Sequence, residues 1–194
     1  MAKPPPKPDS APPGAASERL IGLTPLVTPA TRLLILGSFP GAASLAARQY
    51  YAHPQNQFWR VLVAILPAGP QQLDINSYEN RSNWMLDHGV GLWDVYASCT
   101  RTGSLDAHIR HAVVNDFAAL RQRCPQLAAI AHNGAESHRH SPVVVAALAE
   151  PESPPDAPPL PAYRMPSTSP ANAAWSLERK LAAWREVFER HGLV

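Results

Sequence analysis

The sequence predicts an α/β fold in which a parallel sheet is covered on both faces by helices. Three observations carry that prediction. Four apolar runs have strand length: 32–37 (RLLILG), 90–95 (VGLWDV), 127–132 (LAAIAH) and 160–165 (LPAYRM). Each run is followed by a turn and a helical pattern, and strands that alternate with helices build a parallel sheet. The last helical pattern has one apolar face, in which Ala174, Leu177, Leu181, Trp184 and Phe188 recur at three- and four-residue steps.

In chain order, residues 1–17 are mostly Pro, Ala and Lys with little to bury, and they read as a disordered tail. The remainder, 18–194, reads as a single domain, since 194 residues suffice for one substantial core. After the first strand come helices over 57–66 and 77–88. The second strand precedes a helix over 116–123, and the third precedes one over part of 135–148. A Pro-rich surface loop at about 150–161 (EPESPPDAPPLP) leads into the fourth strand. The final helix is predicted over 171–190, with Ser169 as its N-cap, Pro170 in the first turn and Gly192 beyond its end.

Composition excludes several classes. A net charge of +2 is compatible with a nucleic-acid partner but falls short of a dedicated DNA-coating protein. Cys99 and Cys124 are too few for a four-thiolate iron–sulfur cluster or a disulfide framework, which suggests a reduced, intracellular protein. No stretch has the length of a membrane span, and the opening residues lack the apolar centre of a secretory signal. A cytoplasmic monomer without a membrane partner is expected.

In open parallel sheets, ligands bind at the carboxyl ends of the strands. Polar clusters follow three of the four strands here: 38–41, 133–134 and 167–169. The loop GSFPG (Gly37, Ser38, Phe39, Pro40, Gly41) is bounded by glycines, which allows close approach of its backbone to a ligand. It is neither a P-loop nor a hydrolase nucleophile elbow, and a plain strand-to-helix turn would explain it equally well. In YYAHPQNQFW, Tyr50, Tyr51, Phe58 and Trp59 flank His53 and Asn56, setting stacking surfaces beside polar groups suited to a planar heteroaromatic base. Trp59 is assigned to the core. Ser167, Thr168 and Ser169 would meet the amino end of the last helix, a favourable place for a DNA phosphate. His132, His138 and His140 have no accompanying Cys or carboxylate pattern of a zinc site, so neither a metal nor a cofactor is expected.

These motifs resemble the uracil-DNA glycosylase superfamily, and most closely its hypoxanthine-DNA (deoxyinosine) glycosylase branch. The resemblance rests on LILGSFPGAASLAARQYYAHPQNQFW, GLWDVYASCTRTGSLDAHI, HNGA and MPSTSPANA, and spans about 32–184. It implies a three-layer α/β/α sandwich around a four-stranded parallel sheet. It also implies a monofunctional enzyme that flips a damaged base out of DNA and hydrolyses its N-glycosidic bond. Phe39 stands where the uracil- and mismatch-specific branches carry the Asp or Asn that serves the attacking water. The resemblance therefore moves the catalytic role to Asn56. It gives Phe58 the stacking role and Asn133 a base-reading role, with Gly37, Ser38 and Phe39 also at the base. Pro40, Gly41, Ser167, Thr168 and Ser169 are assigned to the DNA backbone. Met165 replaces the His that assists the departing base in the uracil enzymes.

Asn56 is neutral at every working pH, so it can orient water or donate to the base but cannot act as a base. If a carboxylate serves, Asp94 and Asp106 are the candidates. The lysines, Lys3, Lys7 and Lys180, lie outside every motif, which argues against a Schiff-base lyase step. Arg48, Arg101 and Arg164 are candidate DNA contacts. The wedge that would fill the vacated base stack is unassigned, Met165 and the Pro-rich loop being the nearest choices. A uracil or mismatch glycosylase, and a catalytically silent lesion-binding module, remain alternatives.

Overall fold

The computed structural model describes residues 18–67, 74, 76–149 and 158–194. The expected tail, 1–17, and most of the Pro-rich loop, 150–157, lie outside the described residues. The elements in order are β1 (Arg19–Ile21), β2 (Leu33–Gly37), α1 (Ala42–Ala47), α2 (Phe58–Ile65), α3 (Tyr78–Asp87), β3 (Val90–Asp94), β4 (Tyr96–Thr100), a 3-10 turn (Asp106–His108), β5 (Arg110–Val114), α4 (Phe117–Arg123), β6 (Ala129–Asn133), α5 (Ala135–His138), α6 (Ser141–Leu148), β7 (Ala162–Met165) and α7 (Leu177–Arg190).

The main sheet is parallel, with the order β3-β2-β6-β7. All five residues of β2 and of β3 are buried, as strands covered on both faces must be. Right-handed crossovers from β2 outward to β3, and then back across β2 to β6 and β7, put α2 and α3 on one face and α4 to α6 on the other. The observed packing agrees: α2 lies against α7, and α4 against α6. Burying Leu33, Leu34, Ile35 and Leu36 completely contributes about 1.5–3 kcal/mol each before the entropy of ordering the chain is subtracted. Strand order reverses at β2, so the crevice opens at its carboxyl end.

Two departures from the sequence expectation affect the site. A second, antiparallel sheet, β1-β4-β5, was not expected. The chain passes from β3 into β4 through the single residue Val95, and β5 is largely exposed, so its sequence lacks an apolar signal. The terminal helix begins at Leu177, not at 171, and its cap is Ser176, whose Oγ accepts from the Arg179 amide at 3.3 Å. The intervening residues close on themselves instead. Ser167 Oγ accepts from the Ser169 amide, Ser169 Oγ accepts from the Ala171 amide, and Asn172 Nδ2 donates to the Ser167 carbonyl at 3.0 Å. Such local side-chain bonds compete with helix formation. Ser167, Thr168 and Ser169 therefore do not sit at a helix amino end, and the helix-dipole argument for a phosphate there fails.

Candidate active site

The carboxyl ends of all four parallel strands, β3, β2, β6 and β7, open onto one cavity of about 890 Å³. Its wall includes the loop 37–41, Tyr50, Tyr51, His53, Asn56, Asp94, Asp106, Asn133, Arg164, Ser167, Ser169 and Trp175. The loop 50–57 is pinned from several sides. Trp59 Nε1 donates to the Tyr50 carbonyl at 3.1 Å, Tyr50 Oη donates to the Thr24 carbonyl at 3.1 Å, and the Tyr50 amide donates to Tyr78 Oη at 3.0 Å. Trp59 is buried, as a core residue.

Asn56 lines the cavity and is half-buried. Its Oδ1 accepts from the Phe58 amide at 3.0 Å, a local turn that fixes the side chain ahead of α2. The amide nitrogen is thereby left as the group available to a ligand, while Oδ1 keeps a second lone pair for a water.

Phe58 is 1% exposed and does not line the cavity. Tyr51 does, and its ring stacks on Phe58 with centroids 4.0 Å apart. The aromatic side chain that reaches the cavity in this structure is therefore Tyr51, and Phe58, the residue expected to stack on a base, lies behind it. Tyr51 has φ 52°, an uncommon value for a bulky residue, and is held there by this stack and by a hydrogen bond from Asn133.

Asn133 lines the cavity but gives both of its N–H groups to the scaffold. Its Nδ2 donates to Tyr51 Oη and to Thr168 Oγ1, both at 2.9 Å, and its Oδ1 accepts from the Thr168 amide at 2.9 Å. It ties the end of β6 to the loop after β7 and to the aromatic wall. Gly134, with φ 110°, then lets that loop pass close by: a Cβ there would lie 3.1 Å from Ser167 Cβ. Thr168 is fully buried and faces Asn133, so it cannot touch a DNA backbone; Ser167 and Ser169, its neighbours, line the cavity.

Arg101 is also not a surface contact. It is 6% exposed, its Nη2 donates to the Pro40 carbonyl, and its guanidinium lies 5.1 Å from the centre of the Phe39 ring. Phe39 and Pro40 are thus backed by a buried cation. Arg164 is exposed and lines the cavity; Arg48 is exposed but does not line it. Met165 is 4% exposed, which removes it as a wedge. Lys180, outside every motif, is buried all the same, and its Nζ donates to Gln57 Oε1 at 2.9 Å and to the Asn172 carbonyl at 3.2 Å. It braces the residue beside Asn56, and its burial lowers its pKa.

Two carboxyls stand where the segment 33–59 has none. Asp106 accepts from Ser38 Oγ at 2.7 Å. Asp94 ends β3 in register with Gly37 on β2, and an added Cβ at Gly37 would lie 2.3 Å from Asp94 Oδ1. The glycine makes room for the carboxyl. Asp94 is 4% exposed, and its pKa is pushed up to about 8 by burial and by the nearby Asp106 charge, with Arg101 opposing.

Sequence reasoning alone also missed Trp175 and Leu105, which are 36% and 51% exposed and line the cavity. Both lie in irregular segments that carry no periodic signal. His132 is fully buried, with Nδ1 2.8 Å from Ser137 Oγ, whose proton goes to the Leu36 carbonyl. Among the described residues no group of three or more His, Cys, Asp or Glu side chains could hold a metal ion, and no helix is long and apolar enough to cross a membrane.

Comparison with known proteins bears on this geometry. The uracil DNA glycosylase superfamily profile matches residues 24–189. A hypoxanthine DNA glycosylase of Methanosarcina barkeri is 33% identical over 169 residues, covering 87% of this chain and 98% of that protein. Its counterpart in Methanosarcina acetivorans is 32% identical over 161 residues, covering 83% and 92%. The solution NMR structure of an M. acetivorans protein proposed to be a uracil DNA glycosylase superimposes with a TM-score of 0.72 at 29% identity, over 90% of this chain and 99% of that one.

Proposed function

Because the chain belongs to the uracil DNA glycosylase superfamily, we propose that it excises hypoxanthine from deoxyinosine in DNA by hydrolysing the N-glycosidic bond. The observation that carries this reading is the meeting of Asn56, an aromatic wall and four strand ends in one cavity. Its volume is of the size that encloses a small organic ligand, and an extruded nucleotide is such a ligand. The names of the two Methanosarcina relatives support the choice of base.

Glycosidic cleavage builds positive charge on the sugar and negative charge on the departing base. Asn56 contributes by position: its Nδ2 donates toward the base or sugar, and the free lone pair of Oδ1 orients the attacking water. The backbone of Gly37, Ser38 and Phe39 lies against the base, which stacks beside Tyr51. Arg164, Ser167 and Ser169, with Pro40 and Gly41 opposite, take the flanking DNA backbone. Trp175 is the wedge, because it is the exposed aromatic at the cavity rim. Hydrolysis without a lyase step is supported by Lys180, the lysine among the described residues, whose Nζ is buried and engaged.

The test is alkali-dependent strand cleavage of duplexes containing deoxyinosine or deoxyuridine by the wild type and by Asn56→Ala. Cleavage at inosine that is lost in the variant supports the reading. Preferential cleavage at uracil would move the substrate to the uracil branch, and inactivity of both proteins alongside tight lesion binding would make the chain a binding module. A covalent adduct trapped with borohydride would overturn the lyase-free mechanism.

A further inference from the structure

We infer that Asp94 is the general acid of this cavity, giving its carboxyl proton to a ring nitrogen of the departing purine. The inference rests on the proposed excision of hypoxanthine and supplies the acid that the segment 33–59 lacks. Three independent features support it. Asp94 lines the cavity at the carboxyl end of β3, beside the loop whose backbone meets the base. Its register partner is Gly37, where a side chain would collide with the carboxyl, so strand pairing and sequence together reserve the space it fills. Its Oδ2 is sealed from solvent and has no hydrogen-bond partner.

An ionised carboxylate with a sealed, unpartnered oxygen is costly, whereas the neutral acid avoids most of that penalty. The groups facing Asp94 act in both directions. Asp106, from the 3-10 turn, opposes ionisation; Arg101, after β4, favours it more weakly. Tyr50 and Tyr51, from the loop after α1, also feel the Asp94 charge, and burial keeps both phenols neutral. With Asp94 raised to about 8, the acid holds its proton at neutral pH.

The step balances without a co-reactant. The C1′–N9 bond breaks and its electron pair moves into the purine ring. The Asp94 proton forms the new N–H, so the base leaves neutral. Water held at Asn56 bonds to C1′, and the proton it sheds restores the Asp94 carboxyl.

The experiment is the single-turnover rate of hypoxanthine release from an inosine duplex, measured from about pH 5.5 to about pH 9.5. The wild-type rate is expected to be flat at low pH and to fall as pH rises through about 8. Asp94→Asn should be slower by about 10²- to 10⁴-fold and should lose that alkaline fall. Asp106→Asn removes the like charge and should move the fall to lower pH, a readout that stands even if Asp94→Asn does not fold. Wild-type release with an unchanged rate and profile in Asp94→Asn, or a rate that climbs through the same pH range, would overturn the assignment alone. Absence of hypoxanthine release by the wild type would overturn the underlying reading, and this assignment with it.

Discussion

Replacing Gly37 by Ala tests the fit between the two central strands. The new Cβ would lie 2.3 Å from Asp94 Oδ1 and 3.2 Å from Tyr51 Oη. The first contact is about 1 Å inside an ordinary carbon–oxygen separation. The carboxyl cannot simply swing aside, because Oδ2 is already enclosed and the backbone on either side is held: the Asp94 carbonyl accepts from Asn115 Nδ2, and the Val95 amide donates to the Gly37 carbonyl. Overpacking of this kind costs about 1–3 kcal/mol. In a domain of this length each kcal/mol lowers Tm by about 2–4 °C, so calorimetry should show a fall of about 2–12 °C. Combining Gly37→Ala with Asp94→Ala removes the collision, and the double variant should be close in stability to Asp94→Ala alone, a coupling of about 1–3 kcal/mol. A neutral Gly37→Ala, or strictly additive losses, would refute the argument that the glycine exists to admit the carboxyl.

Asn133→Ala removes three hydrogen bonds that join β6, Tyr51 and the loop after β7. Denaturant titration should show a loss of about 1–3 kcal/mol, and amide exchange should rise at Thr168. Trp175→Ala should reduce excision from paired DNA by more than excision from single strands, since only a duplex presents a stack to be filled; equal losses on both would remove Trp175 as the wedge. His132 has its pKa lowered to about 4 by burial and by His138 and His140. The unfolded chain takes up a proton near 6.5 and the folded chain does not, so this group destabilises the fold as pH drops from about 6.5 to about 4, by roughly 3–3.5 kcal/mol at the limit. The difference in unfolding free energy between the wild type and His132→Gln should change across that window and be flat above it.

How much the sequence disclosed depended on which force set each element. The four sheet strands were legible because burial on both faces demands continuous apolar runs, as in Leu33–Gly37. The small antiparallel sheet was not, because Arg110–Val114 is exposed and leaves no hydrophobic pattern. The cap signals of Ser169 and Pro170, with Ala174 fitting the apolar stripe, misplaced the start of α7, because the Ser and Asn side chains before Leu177 bond to their own backbone. In the site, the strand-end rule located the three polar clusters, but it could not tell which side chains are consumed by the scaffold. Asn133 and Thr168 bind each other, Arg101 turns inward under Phe39, and Tyr51 covers Phe58. Asp94 could be named, with Asp106, only as a candidate carboxylate, and its importance emerges from a register that only pairing with β2 establishes.

The most direct test of the account is identification of the released product. Wild-type protein incubated with an inosine-containing duplex is predicted to liberate free hypoxanthine, seen by mass spectrometry, and to leave an abasic strand that breaks only on alkali treatment. Asn56→Ala should release far less. Release of an intact nucleotide, strand breakage without alkali, or no free base from the wild type would contradict it.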